Sequence, residues 1–255
     1  MSGAGLDLTA EHREQLARAA VDWVLRYFVD QTTLPPEDPM NPNIYPLPEG
    51  LGLFIDSSRN KANDAPVITY YDRANGDLKV AKYNMTANKF DTAITLDGSN
   101  GIDVGWSPSV QVGDDGKVRV AYVSATTDDL KFIVEGGTPE IIDDGYRIVG
   151  TTVDGLPKPE YHFVGDDAGL VIAGGVPTVA YQDATTQELL LAHRAEDGTW
   201  THESIAGATQ PWPGAYGFFA SDALDPTNLV LSTWVIDQPT GENWVEVFDR
   251  PIVVQ

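Results

Sequence analysis

The strongest constraint on the fold is a spacing that the chain uses three times. Tyr70, Tyr122 and Tyr181 are each followed, eight residues on, by a leucine that an acid precedes: Asp77-Leu78, Asp129-Leu130 and Glu188-Leu189. An alternating strand leads into each tyrosine, as Val67-Ile68-Thr69-Tyr70, Val118-Arg119-Val120-Ala121-Tyr122 and Thr178-Val179-Ala180-Tyr181. In the middle copy, strands are expected at Ser109–Val112, Val118–Val123 and Leu130–Val134, with breaks at 113–116 and 124–129 that are rich in turn formers. Such a repeat predicts a unit that buries its apolar faces against copies of itself.

A second marker, an apolar strand closed by an acid, sets Asp56, Asp114, Asp166 and Asp222 at corresponding points. Fourth strands are expected at Lys89–Leu96, Glu140–Val149 and Thr199–Ile205. The last unit is read as Leu229–Val235, Trp244–Phe248 and Ile252–Val254. The pattern from residue 51 onward predicts an all-β domain, 51–255, forming a propeller of about four four-stranded blades. The units run over 51–97, 106–150, 160–206 and 215–255. Part of a larger propeller and a β-sandwich are the competing architectures. Residues 1–34 predict one amphipathic helix, whose face of Trp23, Tyr27 and Phe28 is read as a partner-docking surface. Packing on the β domain itself is its alternative. Residues 35–50 form a Pro-rich strap.

The segments Pro108-Ser109-Val110, Asp115-Gly116 and Val120-Ala121-Tyr122, with Leu78-Lys79-Val80-Ala81 and Leu130-Lys131, resemble bacterial propeller-type repeat proteins. The resemblance spans residues 51–255. It implies a rigid β scaffold and no single function, because propellers host lectins, scaffolds and hydrolases alike. The first unit lacks the Pro-Ser start, and the fourth lacks the Tyr-x-Asp step.

Charge narrows the partners. With 38 Asp+Glu against 16 Lys+Arg, the net charge of −22 repels phosphate backbones and anionic lipid. Nucleic acid and membrane insertion are therefore not expected. The acidity serves solubility, or steers a cationic partner. The absence of cysteine excludes disulfides, thiolate catalysis and cysteine-based zinc sites. The sequence as given opens without the basic and apolar regions of a signal peptide. The expectation is a cytoplasmic protein, or a secreted one if a leader precedes Met1.

Catalytic motifs are not found. There is no nucleophile elbow and no phosphate-binding loop, and His202-Glu203 lacks a second histidine because position 206 is Ala206. No catalytic residue, cofactor or metal is expected. The connections at 101–106, 154–161 and 210–216 deliver Trp106, Tyr161, Trp212 and Tyr216. Asp72 and Asp183 follow the second strands, and His162 begins an inner strand. These seven are the candidate ligand-binding residues. Their ordinary roles would be filling gaps between blades and capping hairpins; His193 is read as structural. Three functions remain: a non-enzymatic platform for a protein partner, a lectin using Trp106, Trp212 and Tyr216, or a glycoside hydrolase-like enzyme. The last would draw its carboxylate pair, ~5–10 Å apart, from Asp72, Asp103, Glu160 and Asp183.

Overall fold

The structure, a computed structural model, describes residues 51–99, 101–206, 220–225, 228–237 and 241–251. The expected helix with Trp23, Tyr27 and Phe28, the strap at 35–50, and Trp212 and Tyr216 lie outside the described residues. Among the described residues all regular structure is β, and no helix there is long and apolar enough to cross a membrane.

Four antiparallel sheets follow one another along the chain. The first holds β1 (Leu51–Arg59), β2 (Pro66–Asp72) and β3 (Asp77–Asn84), with β4 (Lys89–Phe90) and β5 (Ile94–Asp97) sharing the far edge of β3. The second holds β6 (Val104–Val112), β7 (Val118–Ser124), β8 (Asp129–Val134) and β9 (Glu140–Asp143). A separate hairpin, β10 (Tyr146–Thr151) with β11 (Pro157–Tyr161), stands between the second sheet and the third. The third holds β12 (Val164–Ala173), β13 (Val176–Asp183), β14 (Glu188–Arg194) and β15 (Trp200–Ala206). The fourth, among the described residues, holds β16 (Ala220–Asp225), β17 (Asn228–Asp237) and β18 (Glu242–Pro251).

Two expected fourth strands are corrected. The stretch 89–96 breaks at 91–93: the Asp91 N–H still reaches the Lys82 carbonyl at 2.9 Å, and the register on β3 then shifts by one residue before Ile94 pairs with Val80. The stretch 140–149 ends its pairing at Asp143, whose Oδ1 accepts the Gly145 N–H at 2.8 Å. Gly145 sits at φ +67°, in the left-handed region that suits glycine. The chain leaves the sheet there and builds the hairpin.

The sheets stack face to face in chain order. Val67, Leu78 and Val80 of the first meet Val118, Val120, Tyr122 and Ile133 of the second. Ala121, Val123, Leu130 and Phe132 on the second sheet's other face meet Leu170, Val179, Tyr181 and Ala192. Ala180 and Leu191 then meet Leu229 and Leu231. A sheet buried on both faces does not fit a two-layer sandwich. The first strands β1, β6, β12 and β16 pack in succession, and no comparable packing joins β16 back to β1 among the described residues.

One joint repeats between sheets. Gly105 and Gly165 lie at register irregularities of β6 and β12, with φ +99° and +89°. A Cβ on Gly105 would stand 2.8 Å from the Leu78 Cα, and one on Gly165 2.8 Å from the Leu130 Cβ. The leucine of the first two acid-Leu pairs is thus the surface on which the next sheet's glycine rests. Just C-terminal to the corresponding glycines Gly52 and Gly105, bulges between Leu53 and Asp56 in β1 and between Trp106 and Ser109 in β6 open the backbone, and the Asp56 and Ser109 side chains cross to the next sheet. Val110 N–H donates to Asp56 Oδ2 (2.7 Å) and Leu170 N–H to Ser109 Oγ (2.9 Å). Asp56 therefore corresponds to Ser109. Asp114 lies in the β6–β7 turn, so the expected alignment of the aspartates does not hold.

Candidate functional site

The repeated tyrosines reach backward to the preceding sheet. The Tyr122 hydroxyl donates to Asp97 Oδ2 (2.6 Å), at the end of β5, and the Tyr181 hydroxyl to Asp143 Oδ2 (2.7 Å), at the end of β9. Burial and the neighbouring carboxylate push both phenols well above the ordinary range, so they stay neutral donors. Opposite Tyr70 and Tyr122 in register stand Lys79 and Lys131. Lys131 Nζ lies 2.8 Å from Asp97 Oδ2 and 5.6 Å from the Tyr122 ring centroid. This joint is sealed by a lysine.

At the next joint the pattern changes. Leu190 stands opposite Tyr181, and the cation comes from the inserted hairpin. Arg147 grips Asp143 through two hydrogen bonds, Nη1 to Oδ1 (2.9 Å) and Nη2 to Oδ2 (2.7 Å). Burial alone would raise the Asp143 carboxyl. Arg147, the Tyr181 hydroxyl and the Gly145 N–H outweigh it and hold the group below the usual carboxylate range. Tyr181 Oη also meets His202 Nδ1 at 2.9 Å, and burial of that ring pulls its pKa below the ordinary histidine value. Beside this network His162 Nδ1 lies 2.6 Å from Asp183 Oδ2, while its Nε2 faces Glu160 Oε2 at 3.9 Å. Arg147 Nη2 stands 3.9 Å from the same Asp183 oxygen.

These groups wall a cavity of about 720 Å³ between the hairpin, β9, β14 and β15. Ile141, Ile148, Val149 and Leu190 form its apolar side. A smaller recess of about 300 Å³ lies where the bulges of β1, β6 and β12 bring Phe54, Ser107 and Asp167 together.

The candidates named from sequence fall into two places. His162 and Asp183 are both buried and form one pair at the cavity, with Tyr161 beside them at the end of β11. Tyr161 is 76% exposed and meets only Tyr146 edge-on, at 5.4 Å. Trp106 and Asp72 belong to the joint of the first two sheets. Trp106 stacks on Phe54 at 5.5 Å, takes the edge of Tyr71 at 5.9 Å, and donates Nε1 to Asp103 (3.0 Å). One ring face is therefore covered. Tyr161 does not stand at the place equivalent to Trp106, because that place in β12 is taken by Asp166. Asp72 caps the β2–β3 turn, accepting from Ala74 N–H (3.1 Å) and Asn75 Nδ2 (2.8 Å), with Lys79 at 3.2 Å. Asp183 caps its own turn through Thr185 and Thr186 N–H as well as holding His162. His193 is tied to Thr178 Oγ1 at 3.1 Å, as a structural residue would be.

Asp143 and Arg147 do not stand out in the sequence, where Tyr181 reads as a repeat position and His202 only as part of an incomplete zinc motif. The signal lay in the register: a lysine after Asp77-Leu78 and Asp129-Leu130 becomes Leu190 after Glu188-Leu189. A buried tyrosine–aspartate pair then needs its cation from elsewhere. Among the described residues no group of three or more His, Asp or Glu side chains could hold a metal ion.

No protein-family model matches the chain, and no curated protein matches it. Among solved structures it is similar to the exo-β-1,3-galactanase of Phanerochaete chrysosporium. With galactose bound there, identity is 14% over 77% of this chain and 45% of that one, with a TM-score of 0.43. With β-1,3-galactotriose the values are 13%, 77%, 45% and 0.42. The chain thus spans less than half the length of that protein. A WD40 domain of SCAP from fission yeast is also similar, at 9% identity over 79% of this chain and 66% of that one, with a TM-score of 0.19.

Proposed function

We propose that the chain is a non-enzymatic interaction module, its sheets the blades of a β-propeller and its β10–β11 hairpin the element that meets a protein partner. The observation that carries this is the hairpin's surface. Tyr146, Ile148, Val149, Val153, Leu156 and Tyr161 are all exposed on a two-stranded ribbon. Apolar groups displayed together on a projecting element mark a contact site. Pro157 and Pro159 carry no N–H, so β11 is a poor edge for strand addition, and the contact runs through side chains.

The groups beneath the hairpin support binding over turnover. Asp143 is held ionised by Arg147, Tyr181 is held neutral, and Asp183 is occupied by His162 and by its own turn. Of the four carboxylates from which a hydrolytic pair would be drawn, Asp72 and Asp183 cap turns and Asp103 accepts from Trp106.

Capture from the native source, compared between the wild type and an Ile148→Asp/Tyr161→Asp variant, tests the reading. A protein held in fixed ratio by the wild type and lost by the variant is the expected result. Unchanged capture, or saturable glycan binding that disappears with Trp106→Ala, would overturn it.

A further inference from the structure

The geometry points to the chemistry of that partner: the cavity beneath the hairpin is a socket for one of its basic side chains, an arginine or a lysine. The inference rests on the interaction-module reading and adds what the partner must insert.

Charge is the first ground. Asp143, Asp144, Asp183, Glu188 and Glu203 line the cavity against a single guanidinium, that of Arg147. Arg147 is committed to Asp143 by two hydrogen bonds. Among the described residues no lysine or arginine pairs with Asp144, Glu188 or Glu203; His193 Nε2 stands 3.6 Å from Glu203 Oε1. A phosphate or carboxylate ligand would be repelled there. A cation is drawn in, and more so on a chain of net charge −22.

Shape is the second. Ile141, Ile148, Val149 and Leu190 form a wall along which a methylene stem can lie, with acids at its rim. An amphipathic basic side chain wants both.

The third ground is internal. At the preceding joint the corresponding place is filled by the chain's own lysine, with Lys131 Nζ against Asp97 and over the Tyr122 ring. In the third sheet Leu190 replaces that lysine, the hairpin supplies Arg147 to Asp143, and the space beyond opens into the cavity. Lys131 thus shows, against its own acid and ring, the kind of group whose register position the third sheet gives to Leu190, on the cavity wall.

The test is an NMR titration of the whole chain with N-acetyl-arginine methylamide, set against the isosteric, uncharged citrulline analogue. The expected result is saturable shifts at Ile148, Glu188 and Glu203, with Kd on the order of millimolar for one desolvated side chain. The citrulline analogue should shift none of them. Glu188→Gln/Glu203→Gln, which removes two rim charges without touching the buried network, should weaken binding by about fivefold or more. Asp64→Asn, at an exposed acid far along the sequence, should leave it unchanged. Equal shifts with citrulline, shifts spread evenly over the acidic surface, or no saturable shift would each overturn the socket. The two ideas fail separately. Probe binding with unchanged capture by the Ile148→Asp/Tyr161→Asp variant sinks the hairpin reading. A silent probe with capture lost sinks the socket.

Discussion

The Tyr181 hydroxyl is met by Asp143 on one side and His202 on the other. These two partners give the protein two acid-sensitive steps with the same sign. His202 has a lowered pKa, so the unfolded chain binds its proton more readily. Its contribution is present above the unfolded value of about 6.5 and is lost as pH falls below it. Asp143 is also lowered, so its contribution is present above the unfolded value near 4 and is lost as pH falls through the folded one. Urea midpoints measured from pH 8 to pH 4 should fall with acidification, and His202→Gln should flatten the limb below about pH 6.5. An unchanged limb in that variant would remove His202 from the account. Tyr181→Phe leaves a buried carboxylate short of a donor and should cost about 2 kcal/mol. Tyr122→Phe should cost a similar amount at the earlier joint, by chemical denaturation. At this scale the sequence is half legible. His162 and Asp183 stand out as polar residues at strand ends, but Arg147 and His202 enter the network from other elements, and a strand's period says nothing of what lies across a joint.

Among elements, the joint between a leucine and a glycine does most to fix how sheets stack. Gly105→Ala would drive a Cβ to within 2.8 Å of the Leu78 Cα, in a backbone region that side chains avoid. Gly165→Ala meets the Leu130 Cβ at the same distance. Each should cost well over the ~1–2 kcal/mol of left-handed backbone alone. Gly136→Ala, at φ +77° with open space around it, supplies that baseline. If all three shift the urea midpoint equally, the joint is not what sets the stacking. The tyrosine–leucine step is readable from sequence because it recurs within one hairpin. The partner of the leucine is not, since the glycine belongs to the next sheet and lies 27 residues on at the first joint and 35 at the second. For the same reason the aspartate marker misaligned. Asp56 and Asp114 look alike along the chain, yet one crosses to β6 and the other sits in a turn.

For the molecule as a whole, the hairpin is an excursion that the sheets do not depend on for their pairing. Its tip, at 152–156, is exposed, while Leu156-Pro157 and Lys158-Pro159 resist the common proteases that cut after leucine or lysine. A recognition site for a specific protease inserted at 152–156 should therefore let the chain be nicked there alone. The two fragments should travel together on size exclusion and part only in denaturant, because the core between the second and third sheets holds them. Fragments that separate under native conditions would show that the hairpin bears on the stacking. The all-β class and the succession of sheets were legible from the repeat, and the excursion was not. Tyr146 to Val149 alternates like any strand, and only the Asp143–Gly145 turn marks its departure.

At the base of that excursion the His162 N–H donates to the Gly145 carbonyl at 2.8 Å, so the chain returns to within one hydrogen bond of where it left. Sequence between those two residues is therefore not metered by the sheets. Segments could be lengthened, shortened or exchanged there, a binding loop from another protein among them, with every strand of the four sheets keeping its neighbour. One joint earlier, among the described residues, the chain entering β6 is tied at Asp103 to Thr126 and at Val104 to the Gly76 carbonyl, and an insertion at those two residues would break these bonds.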